Sequence, residues 1–539
     1  MLKLNHIYLG NSLDVLKTMP AGSVDCVVTS PPYWGLRDYG TATWEGGDAS
    51  CDHSSAKEKS RYDYDLSKAK TGTHKNAKKG TDQAIWKNIC PNCGAKKIDG
   101  QLGLEETMEE YVSKLCDIFD EIKRVLKDTG VVFVNIGDTY WGGGNNRGSS
   151  PENLSAKQFS NAGARGQVQK QWSREYPSKS QCMIPFRFAI EMVNCGWVLR
   201  NTIIWHKKNA MPSSADSRFT VDFEYIYMFV KSNTTKFWSN RVIGRLVTSQ
   251  PIGINGVENE DWVKVKCKKC SPGKPCGKCD DGFKKRSLWK SHDYFFEQQF
   301  EPHSEAILND KRWEKVRSGG TLKHTPWKDY PDGVQKPCDA QDSMFSTMNP
   351  LGRNHRSVLT VNTQPLKEAH FATFPEKLIE PLIAAGCPER VCTKCGMPVV
   401  KIFLKDSVPT RPAKVTKDVN RDIFSTARER FVPEYKGITY ASCSCNKGFN
   451  PGVVLDLFIG SGTTGVVAIK QGKHYVGIDL NPEYIQMANK RIADTAKEIR
   501  RSHDLFNPGI VLPRKTTTRL QRLMAMMPLP DIRGWDGKD

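Results

Sequence analysis

The residues best suited to chemistry in this 539-residue chain stand near its N-terminus, at Ser30-Pro31-Pro32-Tyr33-Trp34-Gly35. The preceding run Ser23-Val24-Asp25-Cys26-Val27-Val28 reads as a buried strand, and the two prolines must stop it because neither can donate to a ladder. A strand therefore ends in a stiff polar loop. Consecutive prolines hold the backbone extended, so the carbonyls around Ser30 and Pro31, with the Ser30 hydroxyl, can point outward as acceptors for both hydrogens of a planar amine. Tyr33 and Trp34 follow with flat faces on which a nucleobase would stack, at roughly 1–3 kcal/mol per base. A rigid turn capping a strand, or a polyproline ligand, would use the same residues.

A second constellation lies near the other end. Val453-Val454-Leu455-Asp456-Leu457-Phe458-Ile459-Gly460-Ser461-Gly462-Thr463-Thr464-Gly465 reads as a strand, a glycine-rich turn and a helix start. Gly460 and Gly462 let backbone approach a ligand at positive φ, and Asp456 can receive a cationic group. The strand Tyr475-Val476-Gly477-Ile478 then ends on Asp479, about twenty residues after the turn, the position from which a carboxylate accepts from ribose hydroxyls. A nucleoside cofactor follows, against the plainer reading of an ordinary βαβ turn. The Gly-x-x-x-x-Gly-Lys-Ser/Thr pattern of phosphate loops is missing.

Twelve ligand-type residues fall into three zinc-like sets. Cys267, Cys270, Cys276 and Cys279 form two close pairs that make a small knuckle; Cys392 and Cys395 match Cys443 and Cys445; Cys51 and His53 match Cys90 and Cys93 across a longer gap. Structural zinc that stabilises loops too small for a core is the reading, with iron–sulfur the alternative. Cys26, Cys116, Cys182, Cys195, Cys338 and Cys387 remain as small core residues.

Around these sites, length implies two to four compact units, and a net charge of +20 favours a polyanionic partner, nucleic acid first. The start Met1-Leu2-Lys3-Leu4-Asn5-His6 is no signal peptide and no apolar run reaches membrane-spanning length, so a soluble, intracellular protein without a membrane partner is expected. Ile7-Tyr8-Leu9 reads as a strand, Gly10-Asn11-Ser12 as a turn and Leu13 to Leu16 as helix-like. Residues 104–126 have helical spacing, with Gly130 placed to end the helix, and Val131 to Ile136 is a buried strand. Arg187 to Val193 and Glu376 to Ala385 read as helices, Trp197 to Trp205 and Glu224 to Val230 as strands. Such alternation predicts an α/β fold whose parallel sheet is covered on both faces. Residues 142–180 read as a lid or as disorder.

Taken together, the two constellations resemble the amino-methyltransferases that act on DNA. Asp456-Leu457-Phe458-Ile459-Gly460-Ser461-Gly462 resembles their S-adenosylmethionine loop and Thr29-Ser30-Pro31-Pro32-Tyr33-Trp34 their catalytic motif. Catalytic motif first and cofactor motif last is similar to the beta-class, circularly permuted order. Residues 7–16, 102–112 and His370 to Ile379 also resemble family segments, so the likeness covers about residues 4–40, 101–235 and 366–497, less 387–450. It implies a Rossmann-like, mostly parallel seven-stranded sheet, with Ser30, Pro31, Pro32 and Tyr33 catalytic. It also implies S-adenosyl-L-methionine held by Asn11, Ser12, Thr373, Phe374, Pro375, Asp456, Phe458, Gly460, Gly462 and Asp479. The substrate implied is double-stranded DNA with a flipped base. Ser rather than Asp or Asn before Pro-Pro implies cytosine N4, adenine N6 being the alternative. A restriction endonuclease partner and a bacterial or phage-infected cytoplasm fit the same family.

The layout expected is a catalytic domain at 1–40 and 101–235, zinc-binding insertions at 41–100 and 387–450, and a target-recognition domain with its zinc knuckle at 236–365. A cofactor-closing segment at 366–386, a cofactor-binding part at 451–500 and a basic tail at 501–539 complete it. Trp238, Arg241, Arg245, Lys264, Lys266, Lys268, Lys269, Lys284, Lys285 and Arg286 are candidates for phosphate contacts around the knuckle, a solvated basic surface being the equal reading for each. Rival readings are a catalytically inert zinc-containing DNA-binding protein and a methyltransferase acting on RNA or protein. Cytosine-C5 chemistry needs an attacking cysteine after proline, and Cys276 and Cys338 are poorly placed for it.

Overall fold

In the computed structural model, His6–Leu9 (β1), Val24–Thr29 (β2), Leu126–Ile136 (β3), Val198–His206 (β4), Phe223–Val230 (β5), Val358–Thr360 (β6), Val453–Asp456 (β7) and His474–Asp479 (β8) form one sheet. The structure describes residues 2–35, 43–48, 50–52, 89–98, 100–141, 176–177, 179–213, 215–251, 256–266, 283–304, 352–364, 373–409, 415–417, 424–426 and 431–505. The strand order is β1-β8-β7-β2-β3-β5-β4-β6. Every residue of β2 and of β7 is buried, as central strands covered on both faces require. Strands from the two ends of the chain are thus direct neighbours: Cys26 and Val27 pair with Val454 and Leu455, and Ile7 pairs with Gly477.

Side-chain alternation divides the core in two. Val27, Val132 and Val134 face helices α1 (Ser12–Thr18), α2 (Met108–Val125) and α3 (Ile184–Asn194), packing with Tyr111, Leu115, Phe119 and Phe188. Cys26, Val28 and Phe133 face the other way, onto α4 (Glu376–Gly386), α5 (Thr463–Lys470) and α6 (Pro482–Leu505), meeting Leu378, Leu382, Val466 and Ile492.

The structure departs from the sequence reading at four places. Gly130 lies inside β3, not at a helix end: α2 stops at Val125, and Leu126 is already extended and paired with Val24. A Cβ on Gly130 would come within 2.5 Å of the Leu126 side chain and 3.0 Å of the Asp25 carbonyl, so its glycine serves strand packing. β5 runs antiparallel to both β3 and β4, and it follows β4 with no helix among the described residues between them. Val358–Thr360, expected within a separate unit at 236–365, is an eighth strand parallel to β4 where seven were expected. Finally, α6 continues to Leu505, into the stretch read as a tail; the rest of that tail, and residues 142–175 of the expected lid, lie outside the described residues.

Two smaller units carry cysteines. Thr43–Glu45 pairs with Lys96–Ile98 beside a small core of Cys90 and Ala95. Val400–Pro409 pairs with Phe431–Ala441 in a long hairpin, and Ala441 packs with Phe237 and Leu246 while the Leu246 N–H donates to the Ser442 carbonyl at 2.8 Å. The regions around residues 245 and 442, distant in sequence, therefore share a small core.

Candidate active site

Because β1, β8, β7, β2 and β3 are parallel, their C-terminal ends open on one edge of the sheet. A cavity of about 1140 Å³ lies there, bounded by both constellations of the sequence.

The turn after β7 forms one end. Gly460 lines the cavity with φ +49, and a Cβ on it would meet nothing nearer than the Phe458 carbonyl at 3.9 Å, so it would project into the open space. Its N–H donates to Asp479 Oδ2 at 2.9 Å, and the Asn481 N–H donates to Oδ1 at 2.8 Å. These bonds fix the carboxylate at the cavity wall, while burial raises its pKa above the ordinary carboxylate value. Phe458, Thr373 and Phe374 line the same end. Asn11 and Ser12 line it from the start of α1: Asn11 caps the helix by accepting from the Leu13 N–H at 2.9 Å, and the Ser12 hydroxyl donates to the Leu457 carbonyl at 2.8 Å.

Three residues expected here stand elsewhere. Asp456 is fully buried and turned away from the cavity. It accepts from the Thr29 hydroxyl at 2.8 Å, the Phe458 N–H at 3.1 Å and the Thr464 hydroxyl at 2.6 Å, so it ties the strand before Ser30 to the glycine turn instead of receiving a ligand cation. Burial pushes its pKa up to about 6. Gly462, at φ +83, faces α6, where a Cβ would lie 2.8 Å from that of Ala488. Pro375 is buried as the residue before α4.

Ser30, Pro31, Pro32 and Tyr33 form the other end. The Pro32 carbonyl points inward and accepts from the Tyr111 hydroxyl at 2.8 Å. The Tyr33 hydroxyl donates to Glu224 Oε2 at 2.8 Å, lies 3.1 Å from Asn135 Oδ1, and is 3.4 Å from the Ser30 hydroxyl. Asn135 also donates its amide to Glu224 at 3.1 Å, and Lys207 completes the cluster as the ion-pair partner of Glu224. Burial, and then the Glu224 charge, raise the Tyr33 phenol well above its usual range, so it stays a neutral donor. Gly137 makes room for the ring, since a Cβ there would come within 2.6 Å of it.

Trp34 is not a stacking face for a ligand. It is buried, donates Nε1–H to the Glu105 carbonyl at 2.9 Å and stacks on Trp141 with ring centroids 6.2 Å apart. Glu224, Asn135 and Lys207 were missed in the sequence. Their signal was a polar residue breaking an apolar run at a strand end, where a side chain reaches the sheet edge.

Among the described residues, the thiols of Cys392, Cys395, Cys443 and Cys445 all lie within 4.8 Å of one another, and so do those of Cys51, Cys90 and Cys93. None is in a disulfide. Four thiols gathered this closely fit a tetrahedral thiolate site, and the Cys395 N–H lowers the Cys392 pKa toward the thiolate a metal needs. His53 and the set Cys267, Cys270, Cys276 and Cys279 lie outside the described residues.

A DNA methylase family model matches residues 24–393 and 442–490, a span that holds most of the cavity wall and breaks within the Cys392–Cys445 unit. The chain is similar to the type II methyltransferase M.Cfr9I of Citrobacter freundii, at 26% identity over 90% of this chain and 87% of that one. It is also similar to the type II methyltransferase M.XycI of Xanthomonas campestris pv. cyanopsidis, at 26% identity over 91% and 89%. Among solved structures, the cytosine-N4-specific PvuII DNA methyltransferase aligns at 14% identity over 93% of this chain and 94% of that one, with a TM-score of 0.32. The match of the family model over most of the sequence decides the assignment: the chain belongs to the N6/N4 DNA methylase family.

Proposed function

We propose that this protein is an S-adenosylmethionine-dependent, site-specific DNA methyltransferase that methylates the exocyclic N4 of cytosine in double-stranded DNA. One observation carries the reading: a single cavity joins the Gly460–Asp479 end to Ser30, Pro31 and Tyr33, so a methyl donor and an amine can meet within it. Asp479 supplies a fixed acceptor for ribose hydroxyls, Gly460 an open approach to backbone, and Phe458 and Phe374 apolar walls. Asn11, Ser12 and Thr373 line the same end. When bound, S-adenosylmethionine supplies an electrophilic methyl group on a sulfonium.

The exocyclic nitrogen is a weak nucleophile because its lone pair is delocalised into the ring. Acceptors at Ser30 and the Pro31 carbonyl hold its hydrogens and turn the lone pair out of the ring plane, while Tyr33, clamped by Glu224, offers its face to the flipped base. The order of motifs along the chain, with strands from the two termini adjacent in the sheet, supports the circularly permuted arrangement. The Cys392–Cys445 set is read as a structural zinc site, and Cys51, Cys90 and Cys93, with His53 as fourth ligand, as a second.

The hairpin of Trp262–Lys266 and Phe283–Ser287 carries Lys264, Lys284, Lys285 and Arg286 and is the proposed DNA-contacting surface of the recognition region. A cytoplasmic role beside a restriction enzyme fits the type II relatives, and no helix among the described residues is long and apolar enough to cross a membrane. The test is nucleoside mass spectrometry of DNA incubated with purified protein and S-adenosylmethionine. N4-methylcytosine is expected; N6-methyladenine would transfer the same mechanism to the other amine, and DNA binding without any methylated nucleoside would refute the enzyme.

A further inference from the structure

The loop between β4 and β5, residues 207–222, forms part of the cavity wall through Asn209, Met211, Arg218, Thr220 and Val221. Within it, Phe219 is 95% exposed, although both of its neighbours line the cavity. A phenylalanine ring left in water gives up nearly all of its hydrophobic stabilisation, so a fold with a large core has no structural use for it there. Arg218 holds the backbone that carries this ring beside the cavity: its guanidinium lies 4.1 Å from the Tyr140 ring centre and donates toward the Phe219 carbonyl at 3.4 Å. Met211, 74% exposed, is a second apolar side chain on the same loop.

Resting on the function proposed above, we infer that Phe219 is the wedge that enters the DNA stack and occupies the gap left when the target base moves into the cavity. Extrusion of a base leaves two flat neighbours unstacked, and an aromatic ring inserted between them restores that contact. An exposed ring next to the cavity that receives the base, with a guanidinium beside it for the backbone, meets this need. Tyr33 cannot do the same work, because its hydroxyl is tied to Glu224 and its ring packs on Gly137 inside the cavity.

The experiment compares Phe219→Ala and Phe219→Trp with the wild type on two duplexes carrying the mapped target site, one with the target base paired and one with it mismatched. The mismatch lowers the unstacking cost in advance. For Phe219→Ala, the ratio of kcat/KM on the paired duplex to that on the mismatched duplex is expected to fall about tenfold, within the range one base–aromatic stack supplies, and Phe219→Trp is expected to restore it. Pyrrolocytosine paired with guanine at the target position should lose its flipping signal in the same variant. An unchanged ratio overturns the inference, as does a Phe219→Ala effect that appears only as a change of oligomeric state on gel filtration. Absence of methylation by the wild type would instead overturn the function on which it rests. Truncating a ring this exposed leaves no cavity, so failure to fold is not an expected confounder.

Discussion

Asp456 is the joint between the two ends of the chain, and its titration tests that joint directly. Its carboxylate takes hydrogen bonds from Thr29, Phe458 and Thr464, yet it is fully buried, and burial outweighs those bonds in raising its pKa from 3.8 to about 6. The folded protein thus holds the proton more tightly than the unfolded chain does. Stability is lost as pH rises from about 4 to about 6, and the penalty is fully present above that; a shift of about two units corresponds to about 3 kcal/mol.

Asp456→Asn keeps the shape without the charge: its carbonyl accepts from Thr29 and Phe458, and its amide donates to the Thr464 hydroxyl. The variant is expected to match the wild type or fall slightly below it near pH 4, then gain up to about 3 kcal/mol relative to it by pH 7. Thermal unfolding midpoints of both proteins across pH 4 to 7.5 read this out. The comparison must be made as a difference, since burial also raises the Asp25, Glu105 and Asp479 carboxyls and their linkage has the same sign. Parallel profiles for the two proteins would refute the reasoning, because they would mean that the three hydrogen bonds fully offset the burial of the charge.

Three further outcomes are expected. Glu224→Ala leaves Lys207 without its counter-ion at 17% side-chain exposure and frees the Tyr33 hydroxyl, so it should destabilise by about 3 kcal/mol; Glu224→Ala with Lys207→Met should cost less than the sum of the two single changes, as a double-mutant cycle would measure. Gly462→Ala puts a Cβ at φ +83 and 2.8 Å from Ala488, a combined strain of about 2–4 kcal/mol that should lower the thermal midpoint and weaken S-adenosylmethionine binding, read by calorimetry. Cys395→Ser should remove one equivalent of zinc by elemental analysis, and adding Cys443→Ser should remove no more; further loss in the double variant would show that the four thiols do not share one ion.

The sequence by itself determined that this is an α/β chain with two chemical constellations far apart in sequence. Prolines that cannot join a ladder mark where β2 ends, and glycines before a helix mark where β7 ends; both signals are local, so Ser30, Tyr33, Gly460 and Asp479 were legible without coordinates. The cysteine pairs were legible for the same reason, and Cys392, Cys395, Cys443 and Cys445 do converge.

What only the tertiary structure decided is which side chains face the cavity. Asp456 and Trp34 have the types of ligand-binding residues, but long-range packing turned one toward Thr29 and Thr464 and the other onto Trp141. Glu224, Asn135 and Lys207 were hidden because their partners arise from strand pairing: β5 runs antiparallel, which brings the start of an apolar strand to the edge where β2 ends. Neighbours in sequence reveal the chemistry a chain carries, whereas strand direction and register, set by the burial of two opposite faces, decide which of those groups meet.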